Sequence, residues 1–150
     1  MAPTSERTIV VGLDNTPGAR AALRWAVDHA SRIDAVVHAV HALELLGAAA
    51  PLEHDVAGTR ATVQGRAHAW TAEALAESRF RVPVTVEVRD GDAATVLGEA
   101  ARGADMLVLG MNVGTDHSAV TGYAVPLRCE VVLVEESGRA HQGRDAARVE

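Results

Sequence analysis

Short apolar runs alternate along the chain with longer segments in which apolar residues recur every three or four positions. Runs rich in Val, Ile and Leu are typical of buried β-strands, and the longer segments have the period of amphipathic helices. Strands are predicted at Thr8–Asp14, Ala35–Ala42, Val82–Arg89, Met106–Gly110 and Glu130–Glu135. The alternation of strands and helices predicts an α/β fold with a parallel sheet and right-handed crossovers.

Four helices are predicted between these strands, at Pro17 to about Arg32, Thr59–Ser78, Asp92–Ala101 and Ser118–Leu127. Thr16 precedes the first helix as a capping residue, and Pro17 fits its first turn. Gly122 and Pro126 weaken the last helix, because Gly and Pro in a helix interior cost about 1 and 3 kcal/mol.

Three segments have no steady period. Leu43–Gly58 and Met111–His117 are predicted to be loops, and residues 137–150 (SGRAHQGRDAARVE) form a flexible tail because they have little apolar surface to bury. The prediction is therefore one domain over residues 1–136. It is a three-layer α/β sandwich around a five-stranded parallel sheet, Rossmann-like or flavodoxin-like in type.

The composition is that of a globular domain, with 48% hydrophobic and 23% charged residues. Aromatic residues make up only 3%. The core must therefore consist of Ala, Val and Leu in closely packed layers. Trp25 and Trp70 are expected to anchor helices on the sheet.

The charge pattern excludes several functions. The formal net charge is −6, and the 14 basic residues are all Arg, with no run of them in the sequence. A nucleic-acid partner is therefore not expected. Because the chain has no lysine, it can have neither a Walker A phosphate loop nor a Schiff-base lysine.

Cysteine content and apolar run length point to a cytosolic protein. Cys129 is the single cysteine, so no intramolecular disulfide can form, and it is interpreted as a small buried hydrophobe, with redox sensing as the alternative. The segment MAPTSERTIV lacks the apolar stretch of a signal peptide, and no run approaches the ~20 apolar residues of a membrane span. We expect no membrane association.

Three segments carry a family resemblance: IVVGLDNTPGARAALRWAVDHA, VRDGDAATVLGEAARGADMLVLG and CEVVLVEE. In this order they resemble the universal stress protein family from about Thr8 to Glu135. The resemblance implies a sheet of order 3-2-1-4-5, a regulatory role in stress tolerance and frequent homodimers. In one branch of the family it also implies ATP bound where the strand order reverses.

A ligand in such a sheet lies beyond the carboxyl ends of the strands at the reversal point, here between the first and fourth strands. By resemblance, Asp14 lies near the nucleotide, and Leu13 and Ala42 surround adenine and ribose. The candidate nucleotide-binding residues are Leu13, Asp14, Ala42, Leu109, Gly110, Gly114, Ser118 and Ala119. Alternatively, Asp14 is a turn carboxylate, Gly110 and Gly114 permit a turn, and Ser118 caps the last helix.

The phosphate loop departs from the family pattern of Gly, two residues, Gly, nine residues, Gly, and then Ser or Thr. In GMNVGTDHS, Gly110 and Ser118 fit, but Val113 and His117 replace the second and third glycines, and six residues are missing. Fewer N–H groups can converge, and Asp116 repels phosphate. We favour a chain without a cofactor, with ATP and magnesium, or AMP, as alternatives.

No catalytic or metal-binding set is predicted. His38 and His41 lie three apart on a strand and face opposite sides, so they cannot chelate one metal and are expected to pack and hydrogen-bond. His117 lies beside Asp116, but no Ser nucleophile accompanies them, so a catalytic pair is not expected. The chain is interpreted as a non-enzyme, with weak ATPase activity left open.

The last strand, Glu130–Glu135, would be an exposed apolar edge in a monomer, and exposed edges are normally paired or covered. A homodimer through this strand is predicted, and coverage by the tail or a loop is the alternative.

Three functions compete. The first is a regulatory stress protein with a reduced or absent nucleotide site, and the second is an ATP-binding member of the same family. The third is a small α/β enzyme or flavin carrier, for which DNTPGAR offers only Thr16 and Gly18 as phosphate-loop residues.

Overall fold

The computed structural model describes residues 6–43, 56–76, 78–111 and 129–142. The strands in these ranges are β1 (Arg7–Gly12), β2 (Ala35–Leu43), β3 (Val84–Asp90), β4 (Met106–Met111), β5 (Glu130–Glu135) and β6 (Ala140–Gln142). The helices are α1 (Pro17–Ile33), α2 (Val56–Leu75) and α3 (Ala93–Ala101). The predicted helix Ser118–Leu127 lies outside the described residues. So do most of the two predicted loops, of which Leu43, Val56–Gly58 and Met111 are described.

The six strands form one sheet of order β3-β2-β1-β4-β5-β6. The first five are parallel, and β6 is antiparallel to β5. The predicted α/β fold and the strand order 3-2-1-4-5 are therefore confirmed, with one strand more than predicted. The central strand is β1, which pairs with β2 on one side and with β4 on the other.

Asp105 joins the starts of β1 and β4, which are far apart in the sequence. Its carboxylate accepts a hydrogen bond from the N–H of Thr8 at 2.9 Å, and its own N–H donates to the Thr8 carbonyl at 2.9 Å. The reversal of strand order is therefore fixed at the amino ends of both strands by a two-point contact.

Helices cover both faces of the sheet, and the apolar core is divided accordingly. We call the part under α1 and α2 the α1-side core; it includes Ile9, Leu23 and Val108. The part under α3, the α3-side core, includes Val10 and Leu107. None of the largest fully buried side chains described is aromatic, as the composition predicts. Among these residues no helix is long and apolar enough to cross a membrane.

The two tryptophans lie at the margin of the α1-side core. Trp25 and Trp70 are half-buried and pack against it, which confirms their predicted role as anchors. Trp25 also stacks on His29, one turn further along α1, with ring centroids 4.8 Å apart.

Both ends of α1 are set by specific residues. At its start the Thr16 side chain accepts a hydrogen bond from the Ala19 N–H, and Pro17 occupies the first turn. At its end Asp34 adopts the left-handed conformation, with φ 57° and ψ 51°, and donates its N–H to the Ala30 carbonyl. Asp34 is the only non-glycine residue with positive φ among the described residues.

The prediction that residues 137–150 form a flexible tail is wrong for Ala140–Gln142. These residues form β6, which pairs with Val132–Val134 of β5. A tight turn makes this pairing available: Gly138, with φ +92°, donates its N–H to the Glu135 carbonyl. The edge of β5 is thus covered over three residues, as in the alternative considered from the sequence.

Asp34 provides a test of how α1 ends. Replacing Asp34 with Gly should raise the free energy of unfolding by about 0.5–1 kcal/mol, because Gly adopts positive φ without a Cβ penalty. The change also removes a negative charge from the negative end of the helix dipole. Urea unfolding followed by circular dichroism measures the effect.

Two further variants separate these causes. Asp34→Asn keeps a side chain that tolerates positive φ but removes the charge, so it should stabilise less than Asp34→Gly. Asp34→Val should destabilise, since a β-branched residue is strained at this φ. Equal stability of the Gly and Val variants would contradict the argument.

Candidate functional site

The strand order reverses between β1 and β4, so the candidate site lies at the carboxyl ends of β1, β2 and β4. Of the residues predicted for it, the structure places Leu13 and Asp14 just after β1, Ala42 near the end of β2, and Leu109 and Gly110 near the end of β4. Gly114, Ser118 and Ala119 lie outside the described residues. The structure therefore places five of the eight predicted residues at this edge of the sheet.

The side chains of the two leucines point into the cores. Leu13 is 3% exposed and belongs to the α1-side core, whereas Leu109 is 8% exposed and belongs to the α3-side core. Neither side chain offers much surface to a ligand. The more accessible members are Asp14, which is exposed, and Ala42, which is half-buried beside the α3-side core.

Asp14 is held beside the first turn of α1. The Thr16 hydroxyl donates a short hydrogen bond to Asp14 Oδ1 and accepts one from the Ala19 N–H at 3.1 Å. The hydroxyl therefore caps the helix and orients the carboxylate at once. Both contacts place the Asp14 carboxylate beside the start of α1.

Gly110 is required by a contact with α1. A Cβ atom at Gly110 would lie 2.3 Å from the carbonyl carbon of Gly18 and 2.5 Å from the nitrogen of Ala19. The end of β4 thus meets the first turn of α1 backbone to backbone. This packing accounts for a glycine at position 110 with or without a bound phosphate.

The backbone of Leu13 is held by β2 at two points. Its N–H donates to the Val40 carbonyl at 2.8 Å, one residue beyond the last paired residue of β1. Its carbonyl lies 2.7 Å from Nδ1 of His41. His41 in turn meets the ring of Trp70 on α2 in an edge-to-face contact, with centroids 5.3 Å apart.

His38 lies on the opposite side of β2, as predicted. Its Nε2 is 2.8 Å from Glu87 on β3, and Glu87 also pairs with Arg89 at 2.7 Å. Arg89 foremost, with help from His38, lowers the pKa of Glu87 below its ordinary value. Over the residues described, no three His, Cys, Asp or Glu side chains are grouped as metal ligands would be.

Cys129 is half-buried immediately before β5. Burial raises the pKa of its thiol, and the nearby carboxylates of Asp105 and Glu130 add to this effect. Since the thiolate is the reactive form, a raised pKa lowers reactivity at neutral pH. This environment favours the packing role inferred from the sequence over redox sensing.

The comparison with protein-family models found a match to the universal stress protein family over residues 6–124. The chain belongs to the universal stress protein family. Membership supports a stress-response function of the universal stress type. Proteins of this family are generally not enzymes.

Solved structures of universal stress proteins share this fold. One from Burkholderia pseudomallei is 24% identical with a TM-score of 0.65, and the match covers 88% of this chain and 98% of that one. An Archaeoglobus fulgidus universal stress protein in complex with dAMP is 18% identical with a TM-score of 0.57, over 85% and 96% of the two chains. An Arabidopsis thaliana family protein with AMP bound is 14% identical with a TM-score of 0.57, over 86% and 91%. The comparison with curated proteins found no match.

The sequence did not reveal what His41 contacts in this universal stress protein. A histidine inside an apolar strand indicates packing or hydrogen bonding, but its partner depends on which strand lies alongside. The position of Leu13 beside β2 follows only from the register of β1 and β2. The sequence did place His41 at the carboxyl end of a strand next to the reversal point, which is the feature that could have indicated a role at the site.

The contact between Gly110 and α1 can be tested by adding one methyl group. Gly110→Ala should lower the free energy of unfolding by about 1–3 kcal/mol, because the atoms that a Cβ would meet belong to the backbone and cannot rotate away. Chemical denaturation of the purified protein measures the change.

Gly98→Ala is the matched control. Gly98 lies inside α3, and a Cβ there would meet no atom within 4 Å. This variant should gain up to about 1 kcal/mol from the higher helix propensity of Ala. If Gly110→Ala were as stable as the unmodified chain, the close packing of β4 on α1 would be refuted.

Proposed function

We propose that this chain is a non-catalytic regulatory universal stress protein whose crevice binds the nucleoside part of an adenine mononucleotide. The proposal rests chiefly on the way that β1 and β2 separate beyond Val40. The Val40 carbonyl accepts the N–H of Leu13, and β1 turns away after that point. Alternate residues of a strand direct their backbone groups to the same neighbour. The N–H and carbonyl of Ala42 therefore face the space beyond the end of β1.

These two backbone groups suit adenine. The base presents a ring-nitrogen acceptor beside an N6–H donor. The N–H of Ala42 can donate to the ring nitrogen, and its carbonyl can accept from N6–H. The small side chain of Ala42 leaves room for a flat ring on the sheet. Adenine would thus be recognised by shape and backbone contacts.

Asp14 suits the ribose. It follows β1 directly, is exposed, and is oriented by the Thr16 hydroxyl. In nucleotide-binding α/β folds a carboxylate commonly accepts hydrogen bonds from ribose hydroxyls. The same charge repels phosphate, so the phosphate must extend away from the first turn of α1.

A monophosphate is favoured over a triphosphate. The loop GMNVGTDHS offers fewer N–H groups than the family pattern and includes Asp116. Two solved structures with this fold are named as complexes with AMP and dAMP, which supports a monophosphate. The proposed function involves neither magnesium nor ATP hydrolysis.

The second candidate is a universal stress protein that binds no nucleotide and acts through protein partners. The shortened loop and Asp116 favour it, because both weaken the phosphate half of the site. For either candidate we propose a cytosolic location, which the single Cys129 suits because the chain can form no internal disulfide.

Calorimetry with AMP, adenosine and ATP tests the proposed function. We expect AMP to bind in the micromolar to low millimolar range and ATP at least about tenfold more weakly, a difference of about 1.4 kcal/mol. Asp14→Asn should weaken AMP binding by about tenfold through loss of the charged acceptor. Asp34→Asn, at the far end of α1, serves as the control and should leave binding unchanged.

Two results would count against this assignment. If neither AMP nor adenosine binds at millimolar concentration, the second candidate, a protein that binds no nucleotide, is favoured instead. Tighter binding of ATP than of AMP would show that the shortened loop still cradles a triphosphate.

We further propose that homodimerisation through β5 requires β6 to leave its edge. In the single chain, β6 occupies Val132–Val134, and His141 pairs with Glu135 at 2.6 Å. These contacts satisfy backbone groups that a second copy would otherwise pair with. The three-residue strand is short enough to be displaced.

Truncation tests this relation between β6 and assembly. A chain ending at Glu136 should form a dimer at concentrations at least about tenfold lower than a chain ending at Gln142, because it exposes the edge of β5. Size-exclusion chromatography with light scattering gives the masses. Identical masses for the two chains at every concentration would contradict the proposal.

A further inference from the structure

His41 makes a contact whose chemistry is unambiguous. Its Nδ1 lies 2.7 Å from the Leu13 carbonyl oxygen, and a carbonyl can only accept a hydrogen bond. The proton must therefore reside on Nδ1. The imidazole donates across the gap between β2 and the residue that follows β1.

This bond replaces a backbone hydrogen bond that is missing between β1 and β2. In a continuing parallel ladder, the carbonyl of Leu13 would accept from the backbone N–H of Ala42. The paired register of β1 and β2 instead ends at Gly12 and Val40. The imidazole satisfies the Leu13 carbonyl while the two strands diverge, so the space beside Ala42 can open without leaving that carbonyl unpaired.

The imidazole is itself held in place by α2. Its ring meets Trp70 edge to face at an interplanar angle of 75°. The helix is fixed to the sheet in turn, since Gln64 Nε2 donates to the Val86 carbonyl at 3.2 Å and Ala67 is fully buried. A continuous line of contacts therefore runs from α2 through His41 to Leu13.

Leu13 immediately precedes Asp14, the carboxylate proposed to bind ribose. Holding the Leu13 carbonyl fixes the peptide plane that joins Leu13 to Asp14. The Thr16 hydroxyl fixes the Asp14 side chain from the other direction. Together the two contacts define where the carboxylate lies relative to Ala42.

We infer that His41 is a positioning residue that sets the β1–α1 turn for nucleoside binding, although it does not touch the ligand. This inference rests on the proposed binding of an adenine nucleoside at Asp14 and Ala42. It assigns His41 a role beyond filling the core, because an apolar side chain of similar size would pack there without donating to Leu13.

Two substitutions distinguish donation from packing. His41→Leu keeps apolar bulk against Trp70 but removes the donor. His41→Asn keeps a donor, since the amide nitrogen of Asn stands the same number of bonds from Cβ as Nδ1 of His. Calorimetry should show AMP affinity at least about tenfold lower for His41→Leu and within about threefold of the original for His41→Asn.

His38→Leu is the control on the same strand. It removes a histidine that faces the other side of β2 and contacts Glu87 rather than Leu13. AMP affinity should not change in this variant. If His41→Leu does not fold, His41→Phe, which retains an aromatic edge contact with Trp70, replaces it.

A second readout needs no ligand. Amide hydrogen exchange measured by NMR should be faster at Asp14, Asn15 and Thr16 in His41→Leu than in the original chain. The rates in His41→Asn and His38→Leu should match the original. Thermal unfolding of each variant shows whether the effect is confined to the turn.

The outcomes separate the inference from the proposed function. AMP binding that is equal in the original chain and in His41→Leu overturns the inference, and so does an equal loss in His41→Leu and His41→Asn. If the original chain binds neither AMP nor adenosine, the proposed function fails, and hydrogen exchange alone decides whether His41 orders the turn. Unchanged exchange in His41→Leu overturns the inference in that case too.

Discussion

The backbone contact between the first turn of α1 and the end of β4 is the constraint on which the site depends. The absence of a side chain at Gly110 allows this approach, since a Cβ there would meet the backbone of Gly18 and Ala19 and push the two elements apart. The contact places the start of α1 next to the reversal of strand order. Thr16 and Asp14 are located by it, because they form the connection from β1 into that first turn.

Small side chains also allow close packing within the core. In α1, alanines line the buried face together with Leu23 and Val27, so the helix axis can approach the sheet closely. Asp105 then holds β1 against β4 at the opposite end of both strands. The sheet is thus fixed at one end by the Asp105 carboxylate and at the other by the packing of Gly110 on α1. The turn after β1 therefore has little freedom to move. Such rigidity suits a site made largely of backbone groups.

Most of the fold could be predicted from the sequence because its elements have strong local patterns. The apolar runs of β1, β2, β4 and β5 and the cap of α1 at Thr16 are each recognisable within a few residues. The strand order came from the family resemblance. β6 was missed because three residues, of which Ala140 packs on the core, have no period to detect. Its formation depends on Gly138 turning the chain back onto an edge that only the assembled sheet defines.

The site was less predictable for a physical reason. Sequence spacing indicated that Asp14 and Ala42 lie at the same edge of the sheet, but it could not give the face to which each side chain points. The Leu13 side chain is consequently part of the α1-side core, and its carbonyl is held by His41. Contacts between a side chain and a distant backbone group depend on register, which no local pattern encodes.

The position of α1 in the layers has a consequence for synthesis of the protein. Its buried face packs on β4 and β5 as well as on β1 and β2, although β5 begins almost a hundred residues after α1 ends. While the ribosome is still making the second half of the chain, this alanine-rich apolar face has no complete surface to cover it. The nascent chain must then keep an apolar helix soluble until residues 130–135 emerge, so holding chaperones would have their natural point of contact there.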